Sequence, residues 1–287
     1  MNVVVTGGAG FVGTNLIKRL IAEGHTVTSF DNYTTGVKSN HVEGAEYIEH
    51  DIKESIGKAY FGDTIDVVYH LAAIARIQPS FERPVTYFNN NATATFLLAH
   101  FCGEYNIPLI YAGSSSHHSG KFKNPYTFSK SIGEEIIALN QEHYNLKSSI
   151  ARFYNVYGPH HLKTGGYTTL IGRWENLTEK NEPLTIYGNG KKKRDFTHVD
   201  DIVDGLIKIK ENESWGNTFE LGRGKNYSIN QIADMFGGER VYMDDKPGEA
   251  QNTLCDSSLA KKLLGWKPQK NIEDYINEYK FRISCLQ

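Results

Sequence analysis

Val3-Val4-Val5-Thr6-Gly7-Gly8-Ala9-Gly10-Phe11-Val12-Gly13 is the stretch on which the fold turns. An apolar, β-branched run ends in a glycine cluster that satisfies both GxxGxxG and GxGxxG. Residues 11–23 follow with apolar positions such as Leu16 and Leu20 at helical spacing. A strand, glycine turn and helix in this order cradle a pyrophosphate. Any Cβ would block the turn or hold the backbone off the phosphates, and the helix N-terminus favours negative charge. Asp31 stands eighteen residues after Gly13, at the end of the next apolar run. A carboxylate there hydrogen-bonds the adenosine ribose hydroxyls and repels a 2′-phosphate, so the expected cofactor is NAD rather than NADP.

Outward from this unit, Asn2–Thr6 and residues 26–30, 46–48, 67–71, 109–112 and 149–153 read as strands rich in Val, Ile, Phe and Tyr. Residues 11–23, 84–104 and 126–143 read as helices, the last carrying Ile132, Ile136 and Ile137 on one side. Strand–helix alternation predicts an α/β fold, a doubly wound parallel sheet with helices on both faces. After about residue 155 the pattern loosens. The expected division is a cofactor-binding domain over 1–155, with part of 194–210 interleaved, and a smaller substrate-binding lobe over 156–287.

Composition narrows the class. Of the 287 residues 39% are hydrophobic and 22% charged, which excludes a disordered chain. The net charge of −2 gives no general drive toward nucleic acid or an anionic membrane. The basic run Lys191-Lys192-Lys193-Arg194 is short, and Lys191 to Lys193 are expected to be solvated. No apolar run approaches the ~18 residues of a membrane span. Cys102, Cys255 and Cys285 are odd in number and far apart, which excludes a disulfide framework and a CxxC metal site. With no cleavable apolar leader, a cytoplasmic location is expected. The pairs His117-His118 and His160-His161 are adjacent rather than helically spaced, and no metal is expected on them.

Tyr126 and Lys130 form YxxxK on a helix, and the i,i+4 spacing sets both on one face. Together with the glycine turn and the serine cluster Ser114-Ser115-Ser116 after a strand, they make the chain resemble the extended short-chain dehydrogenase/reductases, the NAD-dependent epimerase/dehydratase group. Almost the whole chain shares in the resemblance. His70-Leu71-Ala72-Ala73, Asp51-Ile52, Asn91, the segment Arg152-Phe153-Tyr154-Asn155-Val156-Tyr157-Gly158-Pro159, the stretch from Tyr187-Gly188-Asn189-Gly190 to Arg194 and Asp201, and Leu264-Gly265-Trp266-Lys267-Pro268 each match a family segment. The resemblance implies cofactor contacts from Gly7, Gly10, Phe11, Val12 and Gly13, and from Asp31, Asn32, Asp51 and Ile52. It adds Leu71, Ala72, Ala73, Asn91, Tyr126, Lys130 and Tyr154, and sets the Tyr157 region near the nicotinamide. It implies substrate contacts from Ser114, Ser115, Asn155, Arg194, Lys246 and Thr253, with Asn155 and Arg194 on the diphosphate of an NDP-sugar, a UDP-sugar first of all.

The implied chemistry is epimerisation at a sugar C4 through a 4-keto intermediate. Tyr126 would be the base, and only as a phenolate. A free phenol titrates near ~10, so its pKa must come down by roughly 3, about 4 kcal/mol, and Lys130 together with the positive nicotinamide ring is the expected source of that charge. The catalytic serine is Ser114 counted from the preceding strand and Ser115 counted back from Gly120, and the strand count is preferred because a loop gains or loses a residue more readily. In 4,6-dehydratases of the family Asp and Glu follow that residue, whereas here Ser115 and Ser116 do. A 4-ketoreductase, a dehydrogenase or an epimerase at another carbon remain alternatives, and a non-catalytic NAD-binding protein is a more distant one. The chain departs from the family in the short step of twelve positions from Ser114 to Tyr126, in Ala94 where glycine is usual, and in Lys246 where an arginine is usual. Thr253 stands at the family's gatekeeper for the sugar C2 substituent, and its small size predicts that N-acetyl sugars enter. The family pairs subunits through two helices, here 84–104 and 126–143, which predicts a homodimer.

Overall fold

The computed structural model describes residues 1–54 and 64–285. Seven parallel strands form the central sheet: β1 (Asn2–Thr6), β2 (Thr26–Asp31), β3 (Glu46–Glu49), β4 (Val67–His70), β5 (Leu109–Ser114), β6 (Ser148–Phe153) and Thr218–Leu221. The last of these is β11, after the short strands β7 (Val156–Tyr157), β8 (Leu184–Tyr187), β9 (Lys193–Asp195) and β10 (Thr197–His198). The order β11-β6-β5-β4-β1-β2-β3 makes β1 and β4 the neighbours at which chain progression reverses. Their carboxyl ends open a crevice, the place where such sheets bind ligands.

On one face α1 (Phe11–Ala22) packs with β1 side chains such as Val3 and Val5, together with helices further along the chain. On the other face lie α2 (Gln78–Glu82), α3 (Pro84–Phe88), α4 (Ala94–Glu104) and α5 (Pro125–His143). Leu98 and Ile137 meet the sheet there through Val68 and Leu109. The later chain contributes α6 (Leu170–Glu179), α7 (Val199–Glu211), strand β12 (Asn226–Ser228), α8 (Ile229–Phe236), strand β13 (Arg240–Met243), α9 (Ser258–Leu264) and α10 (Ile272–Ser284). Trp174, Ile186, Phe236, Ile276 and Tyr279 form a separate apolar cluster in this part.

Three features differ from the sequence reading. Residues 84–104 are not one regular helix, because a π turn over Asn89–Thr93 separates α3 from α4. The buried Asn91 in that turn accepts from Ile74 N (2.8 Å) and donates to Ile74 O (2.9 Å) and Ser129 Oγ (3.0 Å). Strand β5 runs on to Ser114. The sheet strand beyond β6 is Thr218–Leu221, four residues too short to show a period, while β9 and β10 near residue 194 pair outside the sheet with β12 and β7. Helix α7 does lie against the sheet beside α1. Trp266 seals this layer, fully buried, with its Nε1 donating to Asp201 O at 2.9 Å.

Candidate active site

At the crevice lies a cavity of about 560 Å³. Its floor is the turn from β1 into α1. Gly7 has φ +75°, and a Cβ there would sit 2.9 Å from the Ala72 backbone; one on Gly13 would sit 2.2 Å from Gly7 O. Glycine is therefore required sterically at both positions. Gly10 caps α1 without a side-chain bond, which leaves first-turn N–H groups available to an anion. Gly7, Gly10, Phe11, Val12 and Gly13 all line the cavity, as do Leu71, Ala72 and Ala73 opposite them. A pyrophosphate cradle of this kind fits NAD.

The residues expected to meet an adenosine lie beside this turn. Asp31 closes β2, with its carboxylate accepting from Ala9 N (2.9 Å) and Tyr33 N (2.8 Å). Burial raises its pKa against the pull of those two N–H groups. Asn32 donates to Asp51 Oδ2 at 3.1 Å. Burial pushes the Asp51 pKa up, but the Lys53 backbone, Asn32 and the Lys53 ammonium outweigh it and hold it below the usual value. Asn32, Asp51 and Ile52 all face the cavity.

The proton-transfer groups come from β5 and α5. Asn124 caps α5 by accepting from Thr127 N (2.8 Å), and Pro125 at the first helical position starts the turn that carries Tyr126. The Tyr126 hydroxyl donates to Ser114 Oγ at 3.2 Å. Ser114 also accepts from Ser116 N at 3.2 Å, and the two serine oxygens lie 2.9 Å apart. Of the two serines left open by counting, Ser114 is the one that reaches Tyr126, because β5 continues to it, while Ser115 starts a 3₁₀ turn and lines the cavity.

Lys130 lies one turn behind, buried, with Nζ 4.1 Å above the Tyr111 ring. Burial brings its pKa down to about 7, and Glu134, one turn further, opposes that. Burial raises the Tyr126 phenol; the Ser114 hydrogen bond and the charge of Arg76 pull it down, and Glu134 pushes it up. Arg76 lines the cavity together with Tyr126, whereas Lys130 does not.

Glu134 is held by Arg152, which donates through Nε (3.0 Å) and Nη2 (2.6 Å) and spans to Glu220 through Nη1 (2.9 Å). His117 and His118 cap the same carboxylates at 3.1 and 2.9 Å. Tyr154 donates to Glu220 at 2.8 Å and does not line the large cavity. It faces a neighbouring cavity of about 440 Å³ instead. Asn91 also stays out of the large cavity and ties down Ile74, which does line it. Tyr157 is fully buried against His198 and Tyr275, away from the crevice.

The other end of the cavity is cationic. Arg194 donates to Glu249 (3.3 Å). Lys192, expected to be solvated, is buried and pairs with Asp245. Arg173 donates to the Tyr187 hydroxyl (2.9 Å), and Lys246 Nζ sits 3.5 Å over the same ring. Burial raises the Tyr187 phenol, but these two cations bring it below the ordinary value. Asn155, at φ +30°, donates to Asp195 O (2.8 Å) and Thr253 Oγ1 (3.3 Å). Thr253 Oγ1 also accepts from Asp195 N (3.2 Å). Arg76, Arg173 and Lys192 line the cavity and were missed; only Lys192 carried a signal, its place beside Arg194. The remaining histidine pair serves elsewhere, His161 buried against Glu175 (3.0 Å) and His160 beside Lys18. Among the described residues no cluster of three or more His, Cys, Asp or Glu could hold a metal, and no helix is long and apolar enough to cross a membrane.

Comparison with known proteins follows this geometry closely. The family described as NAD dependent epimerase/dehydratase matches residues 3–222. A UDP-glucuronate 4-epimerase of Thermodesulfobacterium geofontis is 31% identical, over 94% of this chain and 92% of its own. A UDP-glucuronic acid decarboxylase of Xenopus tropicalis is 28% identical, over 96% of this chain and 70% of its own. The crystal structure of UDP-glucose 4-epimerase from Thermotoga maritima, solved with UDP-glucose, superposes with a TM-score of 0.93 at 25% identity and full coverage of both chains.

Proposed function

The chain belongs to the NAD dependent epimerase/dehydratase family, and we propose that it epimerises an NDP-sugar, a UDP-sugar in the first instance, at C4 through a 4-keto intermediate. What carries the proposal is the Tyr126–Ser114 hydrogen bond inside a cavity with a glycine cradle at one end and Arg173, Lys192, Arg194 and Lys246 at the other. Gly7, Gly10 and Gly13 with the first turn of α1 would hold the cofactor pyrophosphate, Asp31 the adenosine ribose, and Asp51 with Ile52 the adenine. When bound, NAD supplies the acceptor and then the donor of the C4 hydride. Tyr126 Oη takes the proton of the C4 hydroxyl, and Ser114 Oγ steadies the reacting oxygen. The 4-keto sugar turns within the cavity and presents its opposite face, after which Tyr126 returns the proton. Asn155 and Arg194 hold the diphosphate through this turn, with Lys192 and Lys246 beside them. Thr253 is small and borders the neighbouring cavity, which supports entry of N-acetyl sugars.

Denaturing the purified protein should release NAD, and UDP-, GDP- and dTDP-sugars assayed without added cofactor should identify the epimerised pair. Tyr126→Phe should lower turnover by ~10²–10⁴-fold with NAD and sugar-nucleotide binding retained. Stoichiometric consumption of added NADH would replace the reading with a ketoreductase. The decarboxylase relative supports a second reading. Oxidising C4 of a uronic acid makes a β-keto acid; loss of CO₂ from it leaves a C5 enolate that takes up a proton to give a 4-keto pentose, so a UDP-uronate converted to CO₂ and a pentose nucleotide, rather than to its C4-inverted uronate, separates the two. A 4,6-elimination is disfavoured, since Ser115 and Ser116 offer no carboxylate.

The same reading assigns NAD binding to residues 1–155 with part of 194–210, and the sugar nucleotide to the remainder of 156–287. Homodimerisation through α3, α4 and α5 is supported by the exposed apolar side chains of Val85, Phe88, Phe96, Leu97 and Leu139. A cytoplasmic location is supported by three free cysteines.

A further inference from the structure

Arg76 lines the large cavity, and among the described residues no carboxylate pairs with it. It lies in the loop after β4 with φ +122°, a region that non-glycine residues keep only where the surroundings impose it. Its tether is visible: Nε donates to Tyr167 O (3.1 Å) and Thr168 O (3.0 Å). That bond uses only one of the N–H donors, and the two Nη groups find no acceptor among the described residues. Other cations of the cavity are answered within the protein. Lys192 pairs with Asp245, Arg194 with Glu249, and Arg173 donates to the Tyr187 hydroxyl. A guanidinium drawn partly out of water and left unpaired is costly, so a wall that keeps one is suited to an anionic ligand.

We propose that Arg76 is a specificity-determining residue that pairs with a carboxylate at C6 of the sugar, which makes the substrate a nucleotide-linked uronic acid. The inference rests on the proposed function, which sets the C4 oxygen at Tyr126 and Ser114. C6 is attached to C5, the ring neighbour of C4, so its substituent falls beside that pair. Arg76 belongs to the wall there. Strand β4 adjoins β5, so the loop carrying Arg76 leaves the sheet beside the end of β5, where Ser114 stands. Tyr87 of α3 is edge-on to Tyr126, with ring centroids 6.3 Å apart. One turn before Tyr87, Arg83 donates to the hydroxyl of Tyr167, the residue whose carbonyl holds Arg76. The remaining anions of the reaction have their own partners in this reading. The glycine turn faces the cofactor pyrophosphate, and Arg173, Lys192, Arg194 and Lys246 face the diphosphate of the sugar nucleotide. A further fixed cation calls for a further anion, and a planar carboxylate matches the paired Nη donors. The hydroxymethyl group of a neutral hexose would leave that charge facing an uncharged oxygen.

The test compares UDP-glucuronate with UDP-glucose on NAD-bound wild type, Arg76→Gln and Arg76→Lys, with kcat/KM for conversion as the readout. Kd is measured by calorimetry for the same two nucleotides on Tyr126→Phe with and without Arg76→Gln, where turnover is suppressed. Hydrogen bonds to a charged group are worth ~10–100-fold, so wild type should favour the uronate by about that factor. Arg76→Gln should lose ~10–100-fold more on the uronate than on the hexose. Arg76→Lys keeps the charge without the fork and should lose less. Thermal melting and NAD content check that each variant is folded, and the wild-type preference requires no variant. Equal losses on both nucleotides would overturn the proposal, leaving Arg76 a diphosphate contact or a strut for residues 167–168. A wild type that prefers UDP-glucose would overturn it as well. If no sugar nucleotide is turned over, the functional reading fails by itself, and the ratio of the two Kd values with and without Arg76 still decides the carboxylate contact.

Discussion

Replacing Arg152 with Met removes the guanidinium that joins α5 to β11 beneath the active site. Its side chain is 13% exposed, and those of Glu134 and Glu220 are 7% and 17% exposed. Deleting one partner of a buried ion pair typically costs ~3–5 kcal/mol, because the remaining charge stays buried and uncompensated. Here His117 and His118 still contact the two carboxylates, so the low end applies, about 3 kcal/mol. At ~2–4 °C per kcal/mol for a chain of this class, Tm should fall by about 6–12 °C. The sign of the pH dependence follows from linkage. What costs stability in the variant is uncompensated buried negative charge, so the penalty is full where both carboxylates are ionised and is relieved in acid. Melting curves at about pH 8 and about pH 5.5 should therefore show the larger deficit at pH 8. Glu134, no longer neutralised by Arg152, should also push the Tyr126 phenol further up and shift the acid limb of kcat with it. A Tm within about 1 °C of wild type at both pH values, or a deficit that grows in acid, would refute this account of the network.

Asp31→Ala removes the carboxylate proposed to hold the adenosine ribose and should weaken NAD binding by ~10–100-fold, the worth of a charged hydrogen bond, while relaxing discrimination against NADP. Titration of both cofactors checks it; wild type binding NADP as tightly as NAD would contradict the role given to Asp31. Lys192→Gln should raise the Kd for the sugar nucleotide ~10–100-fold by calorimetry and leave NAD binding unchanged; equal losses for both ligands would mean a folding defect rather than a lost diphosphate contact. Leu97→Glu, on the exposed apolar face of α4, should yield a monomer by light scattering at micromolar concentration, and a wild type already monomeric there would remove the dimer proposal.

The glycine turn, Asp31 and the Tyr126–Lys130 pair were legible because each obeys a local rule. A Cβ at Gly7 or Gly13 collides with backbone only a turn or a strand away, and i,i+4 spacing sets two side chains on one face in any helix. The sheet was legible for the same reason as far as β6, since its buried strands are continuous apolar runs between turn residues. The four-residue strand β11 has no such run to announce it, and only its pairing with β6 shows that the sheet continues. The count from the strand favoured Ser114 over Ser115, and the pairing of β5 with β6 carries that strand to Ser114 opposite Phe153.

Asn91 and Tyr154 carried family signals for the cofactor, and both side chains are taken up by partners far along the chain, Ile74 and Glu220. Arg76 and Lys192 had the reverse fate. Alone, each is a polar residue in a loop, with a solvated side chain as the default. Only contacts distant in sequence place them: the carbonyls of Tyr167 and Thr168 accept from Arg76, which lines the cavity, and Lys192 is buried beside Asp245. What the sequence by itself determined are the features encoded within one turn or one strand: the fold class, the glycine turn after β1 and the placing of Tyr126 and Lys130 on one helix face. Which charges act on that pair was decided by tertiary structure, because an electrostatic effect depends on distance through space and on burial, and neither is a function of spacing along the chain.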